Sequence, residues 1–284
     1  HQSRVFTRFR EISSKQNNMH KREIIFILFF CFTSHSAFAQ KTFPNLELGK
    51  NSLNYKGNPL KATDRKSLAF SDKGAWFGFG FLEQSEMQGG FSGPFLMTEQ
   101  NGVWLSSSFI SLHLTDKNEQ ELIDWKSALV SQNSYNSHLE QEFQNEKLEV
   151  KQQLVFSSGH SAIQKTSITN RSSKTITLYP IYNSKTYLDN MQLSTEGQFL
   201  KLVSSKSNAV GYIQFFNEGI DIVITKDSFT AKTNKLTLKP NETKEIVVSQ
   251  TYIFPQYDWK KENENLAKIQ FNTLLKDTKK EKEN

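Results

Sequence analysis

The sequence predicts an all-β protein: a large antiparallel β-sandwich with a C-terminal linker helix. Three observations carry that expectation. Apolar residues recur with period two, as in Leu148, Val150, Gln152, Leu154 and Phe156, which alternate with Glu149, Lys151, Gln153 and Val155. Turn-forming clusters separate β-branched runs at intervals typical of a sandwich, and no long helical pattern interrupts them. The period changes only after Pro255.

The first methionine is Met19, so residues 1–18 read as an upstream extension. Basic His20-Lys21-Arg22, an apolar run from Ile24 to Phe32 and the close Ala37-Phe38-Ala39 then make residues 19–39 a secretory signal peptide cleaved after Ala39. The run is too short for a stable membrane anchor, which needs about 20 apolar residues. Cys31, the single cysteine, leaves with this segment, which excludes thiol chemistry and thiolate metal sites from the rest. The expected location is the periplasm or the exterior of a bacterium. A 245-residue chain is large enough to bury a core without disulfides. Six of the 35 basic residues and two of the 29 acidic residues precede Gln40, which leaves 29 and 27 and a net charge of about +2. With no clustered basic stripe, no nucleic-acid partner is expected.

Residues 40–254 are assigned to the sandwich, entered by a polar arm over 40–65 with one short strand. Residues 74–93 are the most unusual stretch: Trp76, Phe77, Phe79, Phe81 and Phe91 are interleaved with Gly74, Gly78, Gly80, Gly89, Gly90 and Gly93. Glycine admits positive φ and close backbone approach, while the rings bring much apolar area on few rotatable bonds. Two uses fit this chemistry, a glycine-kinked strand whose rings fill the core or a surface that meets a sugar or a neighbouring domain. Val103, Leu105, Ser107 and Phe109 share one strand face, followed by a bulge and Ile110, Leu112 and Leu114; Trp104 and Trp125 are expected in the core. Three hairpins are expected, around Asn170–Lys174, around Asn217-Glu218 and around Lys239–Glu242. Asn170-Arg171-Ser172 and Asn241-Glu242-Thr243 read as turn chemistry rather than glycosylation. Residues 255–284 are a linker followed by one amphipathic helix from Glu262 to about Lys282, with Leu266, Ile269 and Leu274 near one face. That helix either folds back over a sheet or leads into a further domain.

Chemistry-bearing motifs are few. His113, His138 and His160 lack ligand spacing and are expected at surfaces or strand ends, so no metal is assigned. There is no Gly-x-Ser-x-Gly elbow and no phosphate loop, and no cofactor is expected. Asp72, Glu83, Glu86 and Glu99 lie near the aromatic block, but nothing selects a catalytic pair among them, and no catalytic residue is assigned.

The segment Phe70-Ser71-Asp72-Lys73-Gly74-Ala75-Trp76-Phe77-Gly78, then Met87-Gln88-Gly89-Gly90-Phe91-Ser92-Gly93-Pro94, then Leu96-Met97-Thr98-Glu99, resembles the N-terminal domain of bacterial α-glucosidases of glycoside hydrolase family 63. In relatives the first block commonly reads Gly-Ala-Trp-His-Gly; Phe77 stands here in place of the histidine. The resemblance implies a β-sandwich preceding an (α/α)6 catalytic barrel. It also implies inverting hydrolysis of α-glucosides by two carboxyl groups about 6.5–9.5 Å apart. In the family both acids lie in the barrel, and this chain ends where the barrel would begin. The resemblance therefore implies a non-catalytic domain whose partners are an α-glucoside and the catalytic barrel. Trp76, Phe77 and Phe91 would border the cleft, on a backbone shaped by Gly74, Gly78, Gly89, Gly90 and Gly93. The alternatives are a free-standing carbohydrate-binding module and a structural or adhesion sandwich.

Overall fold

A computed structural model describes residues 43–216 and 219–283. The upstream extension, the signal peptide with its cleavage position, and Asn217-Glu218 lie outside the described residues. The described chain is mostly strand, in antiparallel sheets, with helices at its C-terminal end.

The short helix α1 (Pro44–Leu48) begins the fold. The arm that follows holds no strand, only an isolated bridge between Lys56 and Phe81. A three-stranded sheet comprises β1 (Phe77–Gly80), β2 (Ser92–Leu96) and β3 (Val103–Trp104). β4 (Ser111–Thr115) and the helical turn α2 (Trp125–Ala128) precede four consecutive strands, β5 (Leu129–Ser134), β6 (Leu139–Gln144), β7 (Leu148–Phe156) and β8 (Ser161–Asn170). β9 (Ile176–Lys185) is followed by β10 (Met191–Glu196), β11 (Phe199–Ser204) and β12 (Val210–Phe215). Then come β13 (Asp221–Ile224), β14 (Ser228–Lys232), β15 (Leu236–Leu238) and β16 (Thr243–Ile253). The eight-stranded sheet runs β10-β11-β12-β16-β8-β7-β6-β5, and it faces a five-stranded sheet built around β9, which pairs with β4, β14 and β15.

The alternation read in β7 is observed: Leu148, Val150, Leu154 and Phe156 enter the inter-sheet core, whereas Val155 faces outward. Aromatic rings bridge the layers, with Phe215 of β12 lying 5.1 Å from Tyr182 of β9 and 6.4 Å from Phe229 of β14. Trp104 and Trp125 are both buried. The strand expected from Val103 to Phe109 stops after Trp104. Leu105, Phe109 and Ile110 instead enter the core from irregular backbone, with Leu105 N–H donating to the Pro94 carbonyl and Phe109 N–H to that of Gly93.

The three expected hairpins are corrected as well. β8 and β9 lie in different sheets, as do β12 and β13, and β15 and β16. Each turn cluster therefore marks a crossing from one layer to the other. A turn reverses the chain whether or not the returning strand pairs with the outgoing one. At the first crossing Asn170 is buried, and its side-chain amide donates to the carbonyls of Lys174 (2.7 Å) and Leu238 (2.9 Å). Those bonds fix the corner and leave no free amide at this glycosylation-type sequence.

The C-terminal segment forms two helices, α3 (Trp259–Leu266) and α4 (Phe271–Glu283), where one was expected. Asp258 caps α3 by accepting from Lys260 and Lys261 N–H. Both helices fold back over the outer face of the eight-stranded sheet, where Leu266, Phe271 and Leu275 pack on Val155, Ile163 and Val247. Burying each such side chain contributes about 1.5–3 kcal/mol, so the arm is an integral part of the fold. At its far end Glu283 accepts from the N–H groups of Asn45 (3.0 Å) and Leu46 (3.1 Å), which supplies the N-terminal cap that α1 lacks from its own side chains.

Candidate functional site

A groove of about 500 Å³ opens at one edge of the sandwich. Trp76, Met97, His160, Phe254, Gln256 and Tyr257 line it together with Lys73, Gly74, Gly159 and Tyr252. It contains the one ring of the glycine–aromatic block that reaches the surface: Trp76 is 59% exposed. Opposite stand Tyr257, also exposed, and His160, whose ring lies 4.2 Å from that of Tyr257.

Local bonding explains why Trp76 stands out. Asp72 and Ala75 close a turn by an Ala75 N–H bond to the Asp72 carbonyl (3.0 Å), and Ser71 Oγ donates to the Ala75 carbonyl (2.9 Å). Gly74 has φ +74°, the region glycine occupies without steric cost, and an added Cβ would meet open space. Its requirement is one of backbone conformation. Trp76 then presents its carbonyl to Met97 N–H (2.9 Å), so the backbone is held while the indole faces outward.

The other two rings expected at a border lie elsewhere. Phe77 is fully buried, 4.9 Å from Tyr252 and 5.3 Å from Phe156, and so backs the groove from within the core. Phe91 is 3% exposed and packs 5.9 Å from Phe81. Both belong to the core-filling alternative, and a polar residue at position 77 would have no water to meet.

Of the remaining glycines, Gly78 lies in β1, where a Cβ would come within 2.7 Å of the Phe70 carbonyl oxygen. Gly93 has φ +99° and precedes Pro94 through a cis peptide bond. The Gly89–Gly90 pair lies against the inner face of the eight-stranded sheet. A Cβ on Gly89 would sit 2.1 Å from the Leu112 carbonyl oxygen, and one on Gly90 2.2 Å from that of Ile110. Their own carbonyls accept from Gln152 (2.9 Å) and Gln141 (3.0 Å). Gln132, Gln141, Gln152 and Thr166 are cross-strand neighbours, so one amide ladder spans four strands and ties the glycine loop to the sheet.

The groove lining contains no Asp or Glu among the described residues. The four acids near the block lie apart from it. Asp72 pairs with Lys282, Glu83 exchanges hydrogen bonds with Asn58, Glu86 sits in an exposed 3₁₀ turn and Glu99 is buried. No group of three His, Cys, Asp or Glu side chains among the described residues has the placement of a metal site, and no described helix is long and apolar enough to cross a membrane. The groove therefore offers aromatic faces, the His160 imidazole, one ammonium and one carboxamide, a set suited to stacking and hydrogen bonding and lacking a carboxylate pair.

His138, expected at a surface or strand end, lies at a strand end and away from the surface. It stands at the start of β6 but is fully buried, stacked on Tyr135 with ring centres 4.6 Å apart. Nothing in its spacing signalled this; Lys279 of the distant helix α4 lies over the Tyr135 ring on which His138 stacks.

The architecture defines a large two-layer antiparallel sandwich with a docked helical arm and an aromatic groove at its edge. Residues 60–196 match the family described as Glucosidase YgjK, N-terminal, and carry a glycosidase-related domain of that type. The match spans the motifs from Phe70 to Glu99 that carried the resemblance; the strands after β10 and both C-terminal helices lie beyond it.

Among solved structures, a candidate kojibiose phosphorylase from human microbiome superposes with a TM-score of 0.51 at 11% identity, covering 73% of this chain and 34% of that one. That likeness is one of fold, and this chain spans about a third of the phosphorylase's length. Weaker similarity extends to a polysaccharide lyase (TM-score 0.43, 11% identity, 59% and 31% of the two chains). It extends also to a candidate aldose 1-epimerase from Escherichia coli K12 (TM-score 0.43, 8% identity, 63% and 97%). No curated protein matches the chain in sequence.

Proposed function

We propose that this chain is the non-catalytic N-terminal sandwich of a secreted glycoside hydrolase acting on α-glucosides, and that its Trp76 groove borders the cleft of an (α/α)6 catalytic domain. The observation that carries this reading is the carboxylate-free groove with Trp76 exposed on one side and Tyr257 on the other. It sits on a fold whose residues 60–196 match a glucosidase N-terminal family. An indole left in water at the end of a well-packed strand has no role in the sandwich's own core, whereas a pyranose face or an apposed domain would cover it. Export follows from the leader read at residues 19–39, and N-terminal sequencing of protein recovered from the periplasm or medium should begin at Gln40.

The test uses the full chain against kojibiose, maltose and isomaltose, with glucose release and calorimetric binding measured in parallel. No release is expected from the chain alone, and turnover would overturn the non-catalytic reading. Joined to, or mixed with, an (α/α)6 domain of a YgjK-type glucosidase, Trp76→Ala should lower activity while leaving the melting temperature unchanged. Unaltered activity would remove Trp76 from the cleft border. The exposed Trp76 and Tyr257 rings also favour a second reading, a free-standing carbohydrate-binding module. Sugar binding by the chain alone, abolished by Trp76→Ala, would favour it.

A further inference from the structure

Four chain segments form the groove, and the C-terminal helical arm bonds to or supplies three of them; the fourth carries Met97, whose N–H is held by the Trp76 carbonyl. The first is the Asp72–Trp76 loop. Lys282 Nζ of α4 lies 2.6 Å from Asp72 Oδ1, and Glu281 pairs with Lys73 at 3.0 Å, so two adjacent ion pairs join the helix end to this loop. The Asp72 side chain is 8% exposed, and its second oxygen has no hydrogen-bond partner. Lys282 is therefore its compensating charge, and removing it would leave a buried carboxylate held only by the Lys73 N–H.

The second segment is the β7–β8 turn that carries Gly159 and His160. Glu262, in the first turn of α3, accepts from Ser158 Oγ (2.5 Å) and Ser161 Oγ (2.6 Å), and Ser158 Oγ in turn accepts from the N–H groups of His160 and Ser161. This turn also touches the first segment, because the Gly159 α-carbon leaves only 3.1 Å between an added Cβ and the Lys73 carbonyl oxygen. The third segment, Gln256-Tyr257, is the arm's own lead into α3. Trp259, two residues on, stacks on Tyr212 of β12 with ring centres 3.9 Å apart, which fixes where that segment leaves the sheet.

We propose that the helical arm is the positioning element of the groove. Docking of α3 and α4 on the outer sheet face sets the separation of the Trp76 and His160–Tyr257 walls, through Glu262 and Lys282 acting as positioning residues. Whatever pulls or stabilises the arm then changes the groove's affinity for its occupant. The inference rests on the proposed function only for what the groove holds; the mechanical coupling stands on the contacts themselves.

Amide hydrogen exchange of the full chain tests the coupling without a ligand. Lys282→Glu should speed exchange in residues 72–76 about tenfold, and Glu262→Gln should do the same in residues 157–161, with β11 and β12 unchanged. Lys232→Glu, at the exposed pair with Glu119, serves as the charge control and should alter neither segment. If Lys282→Glu speeds exchange throughout the chain, Lys282→Gln supplies the milder reading. Loosening confined to α4, with 72–76 and 157–161 still protected, would overturn the proposal. Calorimetry with maltose and kojibiose is a separate arm. A wild-type chain that binds neither sugar counts against the proposed occupant, while the exchange result still decides the coupling.

Discussion

The two faces of the β5–β8 half of the large sheet bury polar side chains in opposite ways. On the inner face Gln132, Gln141 and Gln152 donate along one ladder that ends on Thr166 Oγ1 and on the carbonyls of Leu82, Gly89 and Gly90. On the outer face, one residue out of register, stand His138, Glu140, Lys151 and Gln153, with Lys279 of α4 adding its charge. Glu140 receives Lys151 at 3.0 Å and Gln153 at 2.7 Å, and His138 Nε2 lies 3.8 Å away. Neutral amides can be satisfied completely in a closed layer at modest desolvation cost, whereas ions keep their charge only where partners and some water remain. The strand alternation thus separates a face indifferent to pH from one that titrates.

The largest effect that tests this contrast is steric. Gly90→Ala would place a methyl 2.2 Å from the Ile110 carbonyl oxygen and 2.7 Å from Ser108 Oγ, and the backbone cannot yield without breaking the Gln141 bond. A loss of about 3 kcal/mol or more is expected, seen as a lower urea midpoint at unchanged slope. A midpoint within experimental scatter of wild type would show that the loop is not wedged between the layers. Next in size is Gln152→Leu, which removes one of the two donors to the Gly89 carbonyl, leaving it Leu112 N–H, and takes the Gln152 acceptor from Gln141; it should cost about 1–3 kcal/mol, equally at pH 5 and pH 8. A pH-dependent cost would mean that the ladder feels the outer face.

These expectations mark where sequence reading stopped. The alternation in Leu148–Phe156 was legible because each inward residue meets the same apolar layer. Gln152 was assigned inward by its position alone, yet its bond to Gly89 joins residues 63 positions apart, and no local pattern encodes it. The glycine pair was legible as unusual, but its reason was a carbonyl oxygen on a different strand. Turn clusters at Asn170 and Lys239–Glu242 announced reversals without revealing that the chain changes sheets. At the groove, Trp76 and Gly74 came from the motif; Tyr257 and His160 did not, because the lead into the arm brings the one to Trp76 and the β7–β8 turn brings the other. Phe77 and Trp76 are adjacent and chemically alike, and their place relative to the turn that precedes β1 decides which ring is buried: Phe77 is the first residue of the strand and Trp76 lies outside it.

The outer face supplies an effect of intermediate size. Burial alone would raise the Glu140 carboxyl, but the neighbouring His138 ring 3.8 Å away, the bond and charge of Lys151 and the Gln153 bond together outweigh it and bring it down to about 2. Burial lowers His138 below its usual value of 6.5, against the opposing pull of Glu140, and the Lys279 and Lys151 charges act in the same direction as burial. Both groups therefore bind fewer protons folded than unfolded on the acid side. The His138 contribution is complete above pH 6.5 and declines below it; that of Glu140 is complete above 4.5 and is lost as pH falls toward about 2. Between pH 7 and pH 4, stability should fall by about 1–2 kcal/mol after allowance for the solvent that reaches Glu140. Glu140→Gln should remove the lower part of that decline and His138→Asn the upper part. A flat profile over this interval would contradict the buried ionic assignment.

The smallest effect has the opposite sign and comes from the other layer. His113 of β4 bonds Glu121 through Nδ1 and Asn183 through Nε2 (3.1 Å), and the bond to Glu121 raises its pKa despite the counteracting desolvation. A histidine raised on folding contributes stability that is complete below pH 6.5 and disappears as pH rises through its folded value. Because both partners are partly exposed, that contribution should stay below about 0.5 kcal/mol. In the intact protein it opposes His138 over the interval just below neutrality and flattens the upper part of the acid decline. His113→Gln should therefore steepen the pH 7 to pH 5 segment slightly and remove any fall above neutrality, whereas His138→Asn should make the same segment shallower. Two substitutions of the same residue type, shifting one profile in opposite directions, would show that burial without a matched donor and bonding at a half-open edge are the two forces acting on these rings. Parallel shifts would show instead that net charge governs both.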